Sequence, residues 1–192
     1  MLSPISFENE HLIIHPFRPQ EMDRLAELSN DVFEILSDEL TLKFIPKKRL
    51  ESIPQAEGFL KSRLLSHYSG KNFFHFITRK SAQKVIGIIE LISPDLAMEH
   101  YQLKTYPYFI EFYLSSSATG CYIMTELLPV VIECLSDQGI SHIGAVVHRK
   151  NTAATKVLKN AKFTYQGQFD IFQDFYEINP SAMQLNPQDN QA

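Results

Sequence analysis

The chain has 192 residues, 44% of them hydrophobic and 21% charged, and its 18 Lys and Arg against 22 Asp and Glu leave a formal net charge of −4. A chain of this length can bury about 70% of its unfolded surface without disulfides or structural metal, and its mild acidity argues against a nucleic-acid binder, for which a basic balance is expected. Cys121 and Cys134 show no CxxC or regular framework and read as reduced thiols of a cytoplasmic protein. The N-terminus lacks the basic and apolar regions of a signal peptide, and no apolar run approaches about 18 residues, so membrane insertion is not expected.

Leu12–Phe17 is expected as a first strand, closed by Pro16 and Pro19. Pro19 suits the first turn of a helix over Gln20–Leu36, where Met22, Leu25, Leu28, Val32 and Leu36 recur at helical spacing. A Pro-punctuated loop follows, and its basic cluster, Lys47-Lys48-Arg49, is short enough to be a solvated turn. Ser52 as cap and Pro54 in the first turn announce a second helix that runs to about His67. Phe73–Thr78 and Val85–Ile92 read as an antiparallel hairpin, and Tyr108–Leu114 as an aromatic-rich strand. That strand runs through Ser115–Gly120 into a helix with Met124, Leu127, Leu128, Val131 and Leu135 on one apolar stripe, which Gly139 is placed to end. Ile140–Val147 is a strand, Thr152–Asn160 a short helix, and Phe163–Gln166 and Asp170–Ile178 the last strands. The order β-α-α-β-β-β-α-β-α-β-β implies an α/β fold, a mixed sheet with helices on both faces. It is expected as one domain over 1–178, with a loose polar tail over 179–192.

The informative segment is strand, Ser-rich loop, Gly120, helix. Small residues feeding a helix N-terminus offer unpaired backbone N–H groups beside the positive end of the helix dipole, which suits a phosphate or pyrophosphate. Other chemistry is poorly supported. The histidines, His142 and His148 among them, show no metal-ligand spacing. Cys121 at a helix start could have a lowered pKa, yet a buried small hydrophobe is the simpler role.

The order of elements, together with Glu111-Phe112-Tyr113-Leu114-Ser115, Gly120-Cys121-Tyr122-Ile123-Met124-Thr125-Glu126, Asn151-Thr152-Ala153-Ala154 and Phe163, resembles the GNAT acyl-CoA-dependent N-acyltransferases. It is most similar to the subgroup that contains the ribosomal-protein N-terminal acetyltransferases, and the similarity extends over about 10–178. The resemblance implies a mostly antiparallel sheet with a splayed parallel strand pair. It also implies acetyl-CoA as co-substrate, no metal, and an amine acceptor that is a protein N-terminus or a small molecule. Thr119, Gly120, Cys121, Tyr122, Ile123 and Met124 then match the pyrophosphate loop, Phe112 to Leu114 the strand that pairs with the pantetheine arm, and Asn151 a cofactor contact at the mouth of the split. Neither nucleic acid nor membrane is an expected partner, and the chain is expected to be a monomer or homodimer.

The sequence departs from the family pattern at Tyr122, where a glycine is usual, at Ala154, where the subgroup has a serine, and at Lys162, where a glycine precedes the late Phe. Pro129 interrupts the third helix's backbone bonding and is expected to kink it, and a glycine in place of Tyr122 is expected to cost helix stability. Amine acetylation needs a route for the amine proton and one for the departing thiolate. Glu111 is the expected base, Tyr113 a candidate acid, and Thr155 a candidate substitute for the missing serine. The departures also leave open an acyl-CoA-binding or interaction module with weak catalysis.

Overall fold

The computed structural model describes residues 2–103 and 105–180. Its strands are β1 (Phe7–Glu8), β2 (Leu12–Pro16), β3 (Asn72–Arg79), β4 (Lys84–Ile92), β5 (Tyr108–Leu114), β6 (Ile143–His148), β7 (Thr164–Gln168) and β8 (Gln173–Ile178). The helices are α1 (Leu25–Ser37), α2 (Glu39–Leu42), α3 (Ile53–Tyr68), α4 (Pro94–His100), α5 (Ile123–Asp137) and α6 (Thr152–Asn160). The strands form one eight-stranded sheet in the order β1-β2-β3-β4-β5-β6-β8-β7. Every neighbouring pair is antiparallel except β5 and β6.

Side-chain alternation along the strands sends apolar groups to both faces. Phe74 and Phe76 of β3 and Ile88 of β4 pack against Leu28, Val32 and Ile35 of α1 and Leu60 of α3. Phe73, Ile77, Ile89 and Leu91 face the opposite way, against Leu127, Leu128, Val131 and Leu135 of α5 and Leu158 of α6. A bulge between β3 and β4 shifts the register at Ile77/Thr78, so Thr78 faces Val85 while Ile77 faces Gly87. The extra residue turns Ile86 to the α5 face and leaves Val85 on the α1 face. Asp31 of α1 stabilises that bend by accepting the Val85 N–H at 2.9 Å.

Several boundaries move for local reasons. The expected helix from Gln20 opens as a 3-10 turn, Pro19–Arg24, before α1 begins. Residues Gly139 and Ile140 are spent ending α5, their N–H groups donating to Ser136 and Leu135, so β6 starts at Ile143. The Asp170 carboxylate accepts the N–H groups of Phe172 and Gln173 at 2.7 Å each and holds a turn that delays β8 to Gln173. Helix α4 was not expected, although Ser93 caps it with Pro94 in its first turn, the same signature that marks α3. Helix α5 continues on both sides of Pro129, which sits on its exposed side, so the missing N–H falls where water can bond the Thr125 carbonyl. Beyond Pro180, the expected tail lies outside the described residues.

Candidate active site

Strands β5 and β6 pair only at Tyr108 with Ile143 and Phe109 with Gly144. Beyond that point β5 stays with β4 as far as Leu114, and β6 stays with β8 as far as His148, so the two part. The Ser115 N–H donates to the Ile86 carbonyl at 2.9 Å. By the alternation of an antiparallel ladder, Ser115, Tyr113 and Glu111 direct their backbone groups to β4, whereas Phe112 and Leu114 direct theirs into the gap. Among the described residues one of these gap-facing groups is engaged: the Leu114 carbonyl accepts the Thr41 hydroxyl at 3.1 Å.

The gap opens into a cavity of about 410 Å³, within the roughly 300–1,000 Å³ of small-molecule sites. Phe112, Tyr113 and Leu114 form one wall, Thr119, Gly120 and the start of α5 another, and Asn151, Ala153 and Ala154 a third; Thr41, Phe44 and Ile45 close the fourth side. Gly120 holds a left-handed backbone at φ 84°. The α5 N-terminus carries no side-chain cap, and its first backbone bond is the Glu126 N–H to the Tyr122 carbonyl at 3.1 Å. The N–H groups of the first turn are therefore available to an anion, beside the positive end of a helix 15 residues long.

On the α1 and α3 face of the sheet the apolar core gives way to a buried ionic cluster. Glu90 of β4 is 1% exposed. Its Oε1 accepts the Tyr113 hydroxyl at 2.6 Å and the Lys48 ammonium at 2.9 Å, and its Oε2 accepts the Asn72 amide at 2.8 Å with the Arg63 guanidinium 3.0 Å away. Lys48 also lies 2.6 Å from Oε2 of Glu111, which is directly opposite Glu90 in the ladder. Burial opposes the charge on Glu90, but the Lys48 and Arg63 cations outweigh it and hold the carboxyl well below its usual range, at about 2. Burial likewise opposes the charge on Lys48, and the two carboxylates overcome it and raise its pKa. Tyr113 is raised well above its ordinary value by burial and by the Glu90 charge, and its proton stays on the phenol.

Of the residues singled out from sequence, Phe112, Tyr113, Leu114, Thr119, Gly120, Tyr122, Ile123, Met124 and Asn151 all border the cavity. Cys121 is exposed and does not. Tyr122 is 74% exposed, its ring standing at the rim. Glu111 does not line the cavity; it shares the face of Glu90 and Tyr113 and is paired with Lys48. Thr155 borders a separate groove with Arg149, Lys156 and Lys159, and its hydroxyl donates to the Asn151 carbonyl at 3.1 Å. Asn151 caps α6, its Oδ1 accepting the Ala154 N–H at 3.1 Å. Sequence reasoning missed Lys48, Arg63, Asn72 and Glu90. Lys48 is no solvated loop residue, because its side chain turns inward onto two carboxylates. The available signal was Glu90 itself, a lone carboxylate in the apolar run Val85–Ile92, which cannot be buried without partners.

Among the described residues no group of three or more His, Cys, Asp or Glu is placed to hold a metal, and no helix is long and apolar enough to cross a membrane.

No curated protein matches the chain by sequence. Among solved structures, it is similar to the ribosomal-protein-S5-alanine acetyltransferase of Vibrio fischeri, with 19% identity, a TM-score of 0.66, and coverage of 92% of this chain and 97% of that one. It is similar to the microcin C7 self-immunity acetyltransferase MccE, solved with acetyl-CoA and AMP, at 17% identity and a TM-score of 0.69, with 93% and 98% covered. The ribosomal L7/L12 alpha-N-protein acetyltransferase RimL, solved with coenzyme A, matches at 16% identity and a TM-score of 0.65, with 91% and 98% covered. At such identities the likeness is one of fold. A family model for the acetyltransferase (GNAT) domain matches residues 11–164, and with that match over most of its length the chain belongs to the GNAT acetyltransferase family.

Proposed function

We propose that the protein transfers the acetyl group of acetyl-CoA to a primary amine, with a protein N-terminus or a small molecule as acceptor. The observation that carries this reading is the parting of β5 from β6, which turns the backbone groups of Phe112 and Leu114 into a cavity that ends at the uncapped start of α5. These features fit the co-substrate: an amide-bearing arm can pair with β5 as an added strand, and a pyrophosphate can take the free N–H groups of α5. Acetyl-CoA supplies an activated thioester.

Glu111, on β5 just past the last residue paired with β6, is the carboxylate we assign to take the amine proton. The cofactor arm is then held at the backbone groups of Phe112 and Leu114, and the acceptor comes to Glu111. The neutral amine attacks the thioester carbonyl, its proton passes to Glu111 directly or through one water, and the carbon–sulfur bond breaks as the thiolate leaves. An ordinary thiol pKa of about 8.5 makes that thiolate a competent leaving group without a dedicated acid. This suits a site in which the Tyr113 and Thr155 hydroxyls are committed elsewhere. The structures of similar fold that are named for ribosomal proteins support a peptide α-amine as acceptor.

Release of free CoA from acetyl-CoA across a panel of peptides and small amines tests the proposal. Turnover with at least one amine, and its loss by about 10²–10⁴-fold in Glu111→Gln, is the expected result. Binding of acetyl-CoA without turnover on any amine would instead favour an acyl-CoA-binding module, and no binding would sink the cofactor assignment.

A further inference from the structure

Resting on acetyl-CoA as the co-substrate, we propose that Lys156 and Lys159 of α6 form a phosphate-monoester site that takes the 3′-phosphate at its nucleotide end. Ala153, Lys156, Val157 and Asn160 recur at i, i+3, i+4 and i+7, so they share the face of α6 that borders the cavity beside the start of α5. Among the described residues Lys156 is the one charged residue that borders this cavity. The rest of the lining is apolar, hydroxyl-bearing or amide.

A second groove adjoins the cavity along α6 and shares Lys156 and Asn160 with it. Thr152, Thr155 and Lys159 complete its α6 side, and Arg149 and Tyr176 close it. Among the described residues no carboxylate lines either hollow, and Thr152–Asn160 contains no Asp or Glu. Arg149 is already engaged, by the Asp174 carboxylate at 2.7 Å and by the carbonyls of Asp170 and Ile171 at 2.6 and 3.1 Å. Lys156 and Lys159 pair with no carboxylate among the described residues, although they stand three positions apart on one helix, where like charges repel. Two unneutralised ammonium groups and the Asn160 amide therefore meet where the cavity joins the groove, a setting for a compact dianion.

The chemistry of the co-substrate says which dianion. Acetyl-CoA carries a pyrophosphate between arm and nucleotide, and a separate phosphate monoester on the 3′ oxygen of the ribose. With the arm along β5 and the pyrophosphate at the uncapped start of α5, the part of the cavity left for the nucleotide is the part walled by α6. The monoester holds a charge of about −1.5 to −2 at pH 7, which two lysines match as point charges. The N–H groups of α5 meet the pyrophosphate whether or not the ribose is phosphorylated, so the preference for the 3′-phosphorylated nucleotide comes from α6.

Calorimetric titration of the wild type with acetyl-CoA and with its 3′-dephospho form reads this preference without turnover. Acetyl-CoA is expected to bind about 5–20-fold more tightly, the yield of two exposed charge-assisted contacts, and the difference should shrink as salt is raised. In Lys156→Met/Lys159→Met the preference should fall to within about twofold, through weaker binding of acetyl-CoA and unchanged binding of the dephospho form. Lys47→Met, the same change of charge at an exposed residue that lines neither hollow, should keep the full preference. Inorganic phosphate titrated alone is expected to bind more weakly than adenosine 3′,5′-bisphosphate; a tighter hold on the free ion would assign the site to it and overturn the inference. Equal affinity for the two forms in the wild type, or an equal loss for both in the double variant, overturns the inference alone, since the lysines would then serve the pyrophosphate or neither. No binding of either form overturns the cofactor reading and the inference with it.

Discussion

Tyr122 and Lys162 share a left-handed backbone, at φ 59° and 67°, one at the start of α5 and the other just past the end of α6. Both stand where the resemblance to the family implies a glycine. At Lys162 the geometry explains the pattern. Its N–H donates to the Lys159 carbonyl and that of Phe163 to Leu158, both at 3.0 Å, which is the helix-ending motif that calls for a residue free of a Cβ. The first prediction reverses the expectation from sequence that glycine at Tyr122 weakens a helix, because the residue precedes α5 and is not helical. A side chain in this conformation costs roughly 1–2 kcal/mol, against about 0.5–1 kcal/mol of extra chain entropy for glycine. Tyr122→Gly and Lys162→Gly should each stabilise by about 0.5–1 kcal/mol and raise the thermal midpoint by up to about 4 °C. A lower midpoint in either variant refutes the strain. The exposed Tyr122 ring also predicts that its removal changes acetyl-CoA affinity by less than about tenfold in calorimetric titration.

Gly144 marks the last paired position between β5 and β6. A Cβ there would meet the Phe175 ring at 2.8 Å, Pro107 at 2.9 Å and the Phe109 ring at 3.2 Å. Gly144→Ala is expected to destabilise by about 1–3 kcal/mol through overpacking and to weaken acetyl-CoA binding, because relief requires the strands to shift at the base of the split. Urea unfolding and calorimetric titration report the two effects separately.

Stability should decline as pH falls from about 6.5. His75 is fully buried, with Nε2 accepting the Ile5 N–H at 3.1 Å and Nδ1 donating to the Phe73 carbonyl at 3.1 Å. Burial pushes its pKa down from 6.5 to about 4. The unfolded chain thus binds more protons in that window, so stability present above pH 6.5 is lost on the way to pH 4, on the order of 3 kcal/mol. Glu90 is held low by its cations and adds a loss of similar sign as pH falls from 4.5 towards 2. His75→Leu should reduce the slope in the upper part of a plot of urea midpoint against pH, where His15 and His67, also lowered by burial, add losses of the same sign, and leave the lower part. A slope between pH 6.5 and 4 as steep as that of the wild type would assign it to other groups.

Asn151 and Thr155 separate structure from chemistry within α6. Asn151→Ala removes a cap and should cost about 1 kcal/mol, with weaker acetyl-CoA binding, since Asn151 borders the cavity. Thr155→Ala should leave turnover within about threefold, because its hydroxyl is bonded inside the helix and faces a different groove. A loss of 10²-fold or more in Thr155→Ala would give that hydroxyl a direct part in the reaction.

The elements that carry strong periodicity or sharp caps were legible along the chain: the α5 stripe, the β3–β4 hairpin, the Ser52 cap, and the Ser-rich turn into α5. Each is set by residues within a few positions of one another, so local sequence determines them, and the order of these elements carries the fold. The boundary shifts came from backbone bonds that spend residues on turns, as at Gly139 and Asp170. The parting of β5 from β6 was implied by the family resemblance but by no local pattern, and the cluster that joins Lys48, Arg63, Asn72, Glu90, Tyr113 and Glu111 belongs to the tertiary structure alone. Lys48 lies 42 positions from Glu90 in the chain. Its charge reads as a solvated loop until the sheet brings two carboxylates side by side, because burying an ion is tolerated only where partners from other elements converge on it.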